Sequence, residues 1–372
     1  MSKQLKICIL CEYLSYVGGG ERVYCSWANM LATELKHDVT IVSLEDWDKP
    51  FYHLDSSIRI NSLKLRNPKF YLNPRRRRLS MLVNYFGDIK TISRYLHEND
   101  YDVVISIAVN MNLILANISG NFLKIATEHS EYHAPNNWIR YVRNKLYRKF
   151  DLLTVLNKFD QEQFKRYNPN TLVLPNPVDT LNERGLPADL NSNTLISIGS
   201  LSPQKNQSDM IDIMNIIHEK YPDWKLKIYG EGPLRDVLSD KIRQTNSVEY
   251  ISLEGVTKNV NEVLSNASIF ILTSKIEGFG LVLIEAMGKG LPCVSYKAYG
   301  PDSIISEGVN GFLINQHDKK EFANKIMLLI EKKQLRKNMG NNAYESVEPY
   351  LPSKIAQLWS KILVNDTKHI DS

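Results

Sequence analysis

Two glutamates eight positions apart, Glu277 and Glu285, enclose Gly278 and Gly280 and follow the apolar run Ile269-Phe-Ile-Leu-Thr273. This pattern sets an acid, two glycines and a helix start at the carboxyl end of a buried strand, where open α/β sheets bind their ligands. The first peptide N–H groups of a helix have no partner inside it, and with the positive end of the helix dipole they suit a phosphate. Gly278 and Gly280 let a ligand approach the backbone. Glu285 falls about a turn and a half into the helix, so the two acids can bracket one bound molecule. Lys205, in the loop after the strand Leu195-Ile-Ser-Ile-Gly199, is a candidate point charge for a diphosphate. Gly18-Gly19-Gly20 follow the first strand and open the first helix, although Val23 stands where the dinucleotide fingerprint has its third glycine. His129, in Glu128-His-Ser-Glu131 after the strand Leu123–Thr127, can donate to a sugar hydroxyl or face a developing charge; His133 is its nearby competitor.

Other patterns carry less. Asp46-Trp-Asp48 has the spacing of a divalent-cation pair, but it is remote in sequence from the glycine–glutamate elements, and no metal site is expected. Cys8 and Cys11 have CxxC spacing, yet Cys8 lies within the apolar first strand and no second pair exists, so they read as small buried apolar residues. There is no Walker loop, no zinc pattern and no Ser/His/Asp spacing.

The elements that must hold these residues alternate between strand-like and helix-like patterns. Lys6–Cys11, a helical stretch over 21–36, Asp38–Ser43, Tyr101–Ile107, Leu123–Thr127 and Leu152–Leu156 make one series. The prolines of Leu172-Val-Leu-Pro-Asn-Pro-Val-Asp179 interrupt it, and a second series runs through Leu195–Gly199, Lys225–Gly230, Val248–Leu253, Ile269–Thr273 and Pro292–Ser295. Such alternation predicts parallel sheets covered by helices. The length of 372 residues exceeds what one core supports, so the expected division is 1–180, 181–350 and a closing helix in 351–372.

Net charge is only +5, but it is unevenly spread. No acid lies between Asp55 and Asp88, while Arg59, Lys64, Arg66, Lys69 and Arg75 through Arg78 are basic. Trp138-Ile-Arg-Tyr-Val-Arg-Asn-Lys-Leu-Tyr-Arg-Lys-Phe150 reads as a basic helix with aromatics. The stretches 59–78 and 140–149 suit an anionic lipid surface and could equally bind nucleic acid. No run approaches a membrane span and the start shows no signal-peptide pattern, so a cytoplasmic protein is expected.

Taken in order, these elements resemble the retaining GT-B glycosyltransferases of glycosyltransferase family 4, which includes bacterial lipopolysaccharide, capsule and glycolipid transferases. The resemblance covers nearly the whole chain. It rests on Gly18-Gly-Gly20, Pro175-Asn-Pro-Val-Asp179, Gly199-Ser-Leu with Lys205-Asn206, Gly230-Glu-Gly-Pro-Leu234, Glu277-Gly-Phe-Gly-Leu281 through Glu285, and Gly300-Pro-Asp302 ahead of Gly311-Phe-Leu. It implies two doubly wound, Rossmann-like α/β domains facing across a cleft, an acceptor-binding one first and a donor-binding one second, with the last helix crossing back to the first. The implied reaction moves a hexose or N-acetylhexosamine from a nucleotide diphosphate sugar, a UDP-sugar by expectation, to a lipid-linked or cell-surface glycan, with no cofactor and no metal. The implied catalytic residues are Glu277 on the donor sugar's hydroxyls, His129 beside the reacting carbon and Lys205 on the diphosphate. Glu285 would hold the ribose. The backbone of Gly278, Phe279, Gly280, Leu281 and Val282 would cradle the phosphate, with Gly18, Gly19, Gly20, Gly199, Ser200 and Gly230 completing the donor site. The basic stretches would then dock the protein at the inner face of the plasma membrane; nucleic-acid binding would leave the glycine–glutamate motifs unexplained. One departure stands out. Many family members carry arginine where this chain has Ser200, so either Lys205 and the Glu277 helix suffice, or another cation such as Arg235 or Lys289 compensates. A non-catalytic sugar–nucleotide-binding relative and a sugar nucleotide epimerase are the competing functions.

Overall fold

The computed structural model describes residues 3–16, 18–46, 49–66 and 74–366, with the side chains of 74–83 and 365–366 left outside that description. The chain divides into two compact units. One holds the chain up to Pro177 together with Pro352 onward, and the other is Val178–Leu351.

The first unit is built on a seven-stranded parallel sheet ordered β3-β2-β1-β4-β5-β6-β7. Its strands are β1 (Lys6–Cys11), β2 (Asp38–Glu45), β3 (Arg59–Arg66), β4 (Val103–Ile107), β5 (Leu123–Thr127), β6 (Leu152–Val155) and β7 (Thr171–Val173). β4 and β6 are buried at every position, as strands covered by helices on both faces must be. The second unit carries a six-stranded parallel sheet ordered β10-β9-β8-β11-β12-β13. These strands are β8 (Thr194–Ile198), β9 (Lys225–Tyr229), β10 (Ile251–Gly255), β11 (Ile269–Leu272), β12 (Cys293–Tyr296) and β13 (Gly311–Ile314). In the predicted helix after β8, Met210, Ile213, Met214 and Ile217 do form one buried stripe against this sheet.

In both sheets the order of strand addition reverses once, between β1 and β4 in the first and between β8 and β11 in the second. Loops leaving the carboxyl ends of the two strands at such a point part in opposite directions and leave a crevice. Gly18–Gly20 follow β1. Lys205 follows β8 and Glu277 follows β11, so the second unit's two chemical loops flank its own reversal.

Two sequence expectations change. The basic run beginning at Arg59 is in part the edge strand β3. There Arg59 makes a two-pronged pair with Asp38 at 2.7 and 2.8 Å, and Arg66 is buried against Asp88. The acids missing from the local sequence come from a neighbouring strand and from the helix Pro74–Asn99; Arg66 is thereby taken inside, whereas Arg59 is paired at the surface. Lys69 lies outside the described residues, as do the side chains of Arg75 through Arg78. The expected strand at Val248–Leu253 forms instead at Ile251–Gly255. All four cysteines are free and buried, and burial pushes the Cys8 and Cys11 thiols far up, which suits inert packing. Among the described residues no helix is long and apolar enough to cross a membrane.

Candidate active site

In the second unit the Lys205 ammonium lies 2.5 Å from Glu277 Oε2, and the Ser274 hydroxyl donates to the same oxygen at 3.2 Å. Neither partner is fully buried, so the pair is open to an arriving ligand. The two loops are tied below it. Thr273 Oγ1 stands 3.2 Å from the Lys205 carbonyl and 2.9 Å from that of Asn206. Asn206 takes a left-handed conformation at φ 52° to turn the chain into the helix Gln207–His218, and its amide donates to Asp209 at 2.9 Å.

Gly280 caps the helix Leu281–Gly288 with φ at 90°, a conformation that glycine alone adopts without strain. Its position is 3.6 Å from Glu277 Cγ, measured from where a Cβ would sit, so acid and helix start are neighbours. Phe279 is buried edge-on against Tyr350 at 5.8 Å, which leaves the backbone of this loop as its offering to a ligand. The Gly300 N–H donates to the Glu277 carbonyl at 2.8 Å and holds the loop from behind. Glu285 is buried on the same helix and accepts from Thr180 Oγ1 at 3.2 Å.

Gly199 and Gly230 end β8 and β9. A Cβ at Gly230 would fall 1.9 Å from the Gly199 oxygen, so this glycine is required for the two strand ends to close on each other. The Ser200 hydroxyl faces that of Ser202 at 3.3 Å, while its carbonyl accepts from Gln207 Nε2 at 2.8 Å.

In the first unit Gly18 is the extended cap of the helix Gly19–Asn29, and its carbonyl accepts from the Arg22 N–H at 3.1 Å. Among the described residues nothing lies within 4 Å of where a Cβ at Gly20 would stand. The loop before it is anchored by Glu45 at the end of β2. This wholly buried carboxylate accepts from the N–H groups of Leu14 (2.8 Å) and Ser15 (3.1 Å) and from the Ser15 hydroxyl. Sequence reasoning missed Glu45 and Thr273. A run of mostly apolar strand residues ending in one acid was the only trace of the former.

His129 follows β5 with its ring tilted on Trp27 at 5.2 Å, and Trp27 meets Trp359 of the last helix, Pro352–Asp366, edge-on at 5.4 Å. Both imidazole nitrogens are shielded from solvent and have no hydrogen-bond partner among the described residues. Burial lowers its pKa to about 4, so the ring is neutral near pH 7. His133 is exposed, 3.5 Å from Arg140. Of the acid pair, Asp46 donates its N–H to the Arg66 carbonyl at 2.7 Å, and Asp48 lies outside the described residues.

Residues 17–181 match the glycosyltransferase family 4 profile, and residues 179–346 match the profile described as glycosyl transferases group 1. A glycosyltransferase of Haemophilus influenzae is 29% identical over 93% of this chain and 96% of its own length. The chain belongs to this glycosyltransferase family. A Campylobacter jejuni alpha-1,4-N-acetyl-D-galactosaminyltransferase, named for a glycan on PP-undecaprenol, is 27% identical over 93% of the transferase and 95% of its own length. In fold, the transferase is similar to Anabaena HepE solved with UDP, at a TM-score of 0.76 and 18% identity over 97% of this chain and 100% of that one. Its GT-B class is thereby assigned, with two parallel-sheet, Rossmann-like units.

Arg235 and Lys289, the cations named as able to compensate for the arginine missing at Ser200, each have a partner in the structure. Arg235 forms a largely exposed pair with Glu231 at 2.6 Å, and buried Lys289 donates to the Arg184 carbonyl. Lys205 is the cation that the structure sets at Glu277. Arg143 is likewise no surface charge. It is fully buried, 3.7 Å from Glu128, with its plane 4.7 Å from the Tyr132 ring and 4.5 Å from that of Phe164. Glu128 also accepts from Tyr147 (2.6 Å) and Asn112 (3.1 Å), and the cluster holds the β5 end that carries His129.

Proposed function

We propose that this transferase moves a hexose or N-acetylhexosamine, with retention of anomeric configuration, from a UDP-sugar to a growing glycan on a lipid carrier or cell-surface polymer. The observation that carries the reading is the Lys205–Glu277 pair set between two strand ends, beside the Gly280 helix start. An arriving diphosphate competes with the Glu277 carboxylate for the Lys205 ammonium. It takes that charge together with the helix-start N–H groups of Leu281 and Val282. Glu277, released, accepts from donor-sugar hydroxyls, and Glu285 accepts from the ribose. Neutral His129 donates beside the reacting carbon without adding a cation next to an oxocarbenium-like sugar. Lys205 and the helix start supply the counter-charge for the leaving diphosphate, so the reaction needs no metal.

The names of similar proteins support the substrate class. Anabaena HepE was solved with UDP-glucose, and a 25% identical Erwinia amylovora relative is an amylovoran biosynthesis glycosyltransferase. We place the acceptor at the cytoplasmic face of an anionic membrane, met by the first unit's exposed basic and aromatic side chains.

Thermal unfolding with UDP, GDP, ADP, TDP and CMP, each with and without EDTA, tests the reading. A nucleotide at a hundred times its dissociation constant adds about 2.7 kcal/mol. A UDP-selective rise in Tm that survives EDTA is the expected result. A GDP-selective rise moves the donor to a GDP-sugar. A rise that EDTA abolishes overturns metal independence, and no rise with any nucleotide overturns the donor site.

A further inference from the structure

The helix Asn137–Leu146 and the turn Tyr147–Lys149 after it present one continuous ridge, Trp138, Tyr141, Lys145 and Arg148, at helical spacing. Trp138 and Tyr141 are 71% and 69% exposed and, as neighbours on one helix face, they make a contiguous apolar patch. At the ridge's basic end Tyr141, Asn144, Lys145, Arg148 and Tyr167 line a cavity of about 350 Å³. Its floor is built. Asn144 is buried and donates to the Tyr132 hydroxyl at 2.7 Å, and Tyr132 in turn donates to Tyr167 at 3.5 Å. The internal arginine, Arg143, points its charge to Glu128, whereas Lys145 and Arg148 form no ion pair among the described residues. No acid occurs from 132 to 150. The Tyr167 phenol is pulled below its usual range, first by the hydrogen bond from the Tyr132 hydroxyl, against the opposing effect of burial.

We propose that this cavity is a headgroup site that takes the phosphodiester of one anionic membrane lipid between Lys145 and Arg148, with Trp138 and Tyr141 seated at the lipid–water boundary. A phosphodiester supplies acceptor oxygens for the arginine fork, the lysine, the tyrosine hydroxyls and the Asn144 amide, and its size suits the cavity. Exposed tryptophan and tyrosine at headgroup depth keep a polar edge wet and an apolar face buried. The four ridge residues thus account for each other: charge draws the surface in, and the rings set the depth. The inference rests on the membrane placement proposed above and names the lipid chemistry that this placement requires.

Flotation of the full-length protein with phosphatidylcholine vesicles, with and without phosphatidylglycerol, tests it. Three variants are compared: Lys145→Ala/Arg148→Ala, Trp138→Ala/Tyr141→Ala, and Lys333→Ala/Lys337→Ala as an equal loss of charge from the other unit. The expected result is binding only with phosphatidylglycerol, weakened roughly 30-fold by the cavity pair, weakened also by the aromatic pair, and little changed by the control pair. Circular dichroism confirms that each variant is folded. A soluble short-chain phosphatidylglycerol is expected to raise Tm of the wild type and not of the cavity variant. Equal losses for the cavity and control pairs would overturn the cavity while leaving a diffuse membrane attraction. No flotation of the wild type with any vesicle would overturn membrane docking itself. A rise in Tm with inorganic phosphate equal to that with the short-chain lipid would make the cavity a site for soluble anions instead.

Discussion

At the residue scale, the proposed donor site depends on two side chains whose proposed roles separate in kinetics. In that proposal Lys205 faces the group whose charge grows as the bond breaks, so Lys205→Ala is expected to lower kcat by roughly 100-fold or more. Glu285 is proposed to face a part of the donor that does not change during reaction, so Glu285→Ala is expected to raise KM for the donor by roughly tenfold to a hundredfold with a smaller change in kcat. Initial rates over donor concentration check both, and a Lys205→Ala enzyme of unchanged kcat sinks the assignment. His129 gives a second test at this scale. Its folded pKa is lowered to about 4 by burial, below the ordinary 6.5, so between those values the unfolded chain binds more protons than the folded one. Stability from this residue is therefore complete above pH 6.5 and is lost as pH falls toward 4. Denaturant titrations from pH 7 to 4 should show a decline that is shallower in His129→Gln. Imidazole resonances that titrate near 6.5 in the folded protein would contradict the buried, neutral ring.

At the element scale, the contact between β8 and β9 decides whether Lys205 is delivered to Glu277. Gly230→Ala drives a methyl into the Gly199 carbonyl at a backbone with φ of 138°. Such a change is expected to cost at least about 2 kcal/mol, read as a lowered urea midpoint, and to reduce turnover because the loop from Gly199 to Lys205 shifts with it. Turnover and midpoint equal to wild type would show that the two strand ends need not close. This part of the site was legible in the sequence only in outline. Strand ends, glycines and the acids at 277 and 285 recur at spacings that a parallel sheet imposes, so Lys205, Glu277 and the helix start could be named from the chain. Glu45 and Thr273 could not, because what makes them matter is a set of backbone groups 30 and 67 or more positions away. Arg143 and Arg66 were misread for the converse reason. A basic run suggests surface, and only folding brings Glu128 beside one and Asp88 beside the other.

At the scale of the whole molecule, the first unit is discontinuous: the chain leaves it at Pro177 and supplies its last helix only after the second unit is complete. That helix buries Ile355, Trp359, Ile362 and Leu363, and its neighbour is the turn Met30–Glu34, which prolongs the helix opened by Gly18–Gly20. Trp359 edge-on to Trp27, and Trp27 tilted on His129, make one chain of ring contacts from the last element to the end of β5. Truncating a buried tryptophan costs about 3–5 kcal/mol, and here the loss should fall on the unit that owns the contact. Hydrogen exchange on Trp359→Ala is expected to show faster exchange in the helix Gly19–Asn29 and in β1 and β5, with β8, β9 and β11 keeping their protection. UDP should still protect the second unit's Gly280 helix start in that variant, while turnover falls because His129 has lost its support. Uniform loss of protection across both sheets would mean that the two units unfold as one block. Unaltered exchange around Trp27 would mean that the last helix contributes nothing to the ring beneath His129.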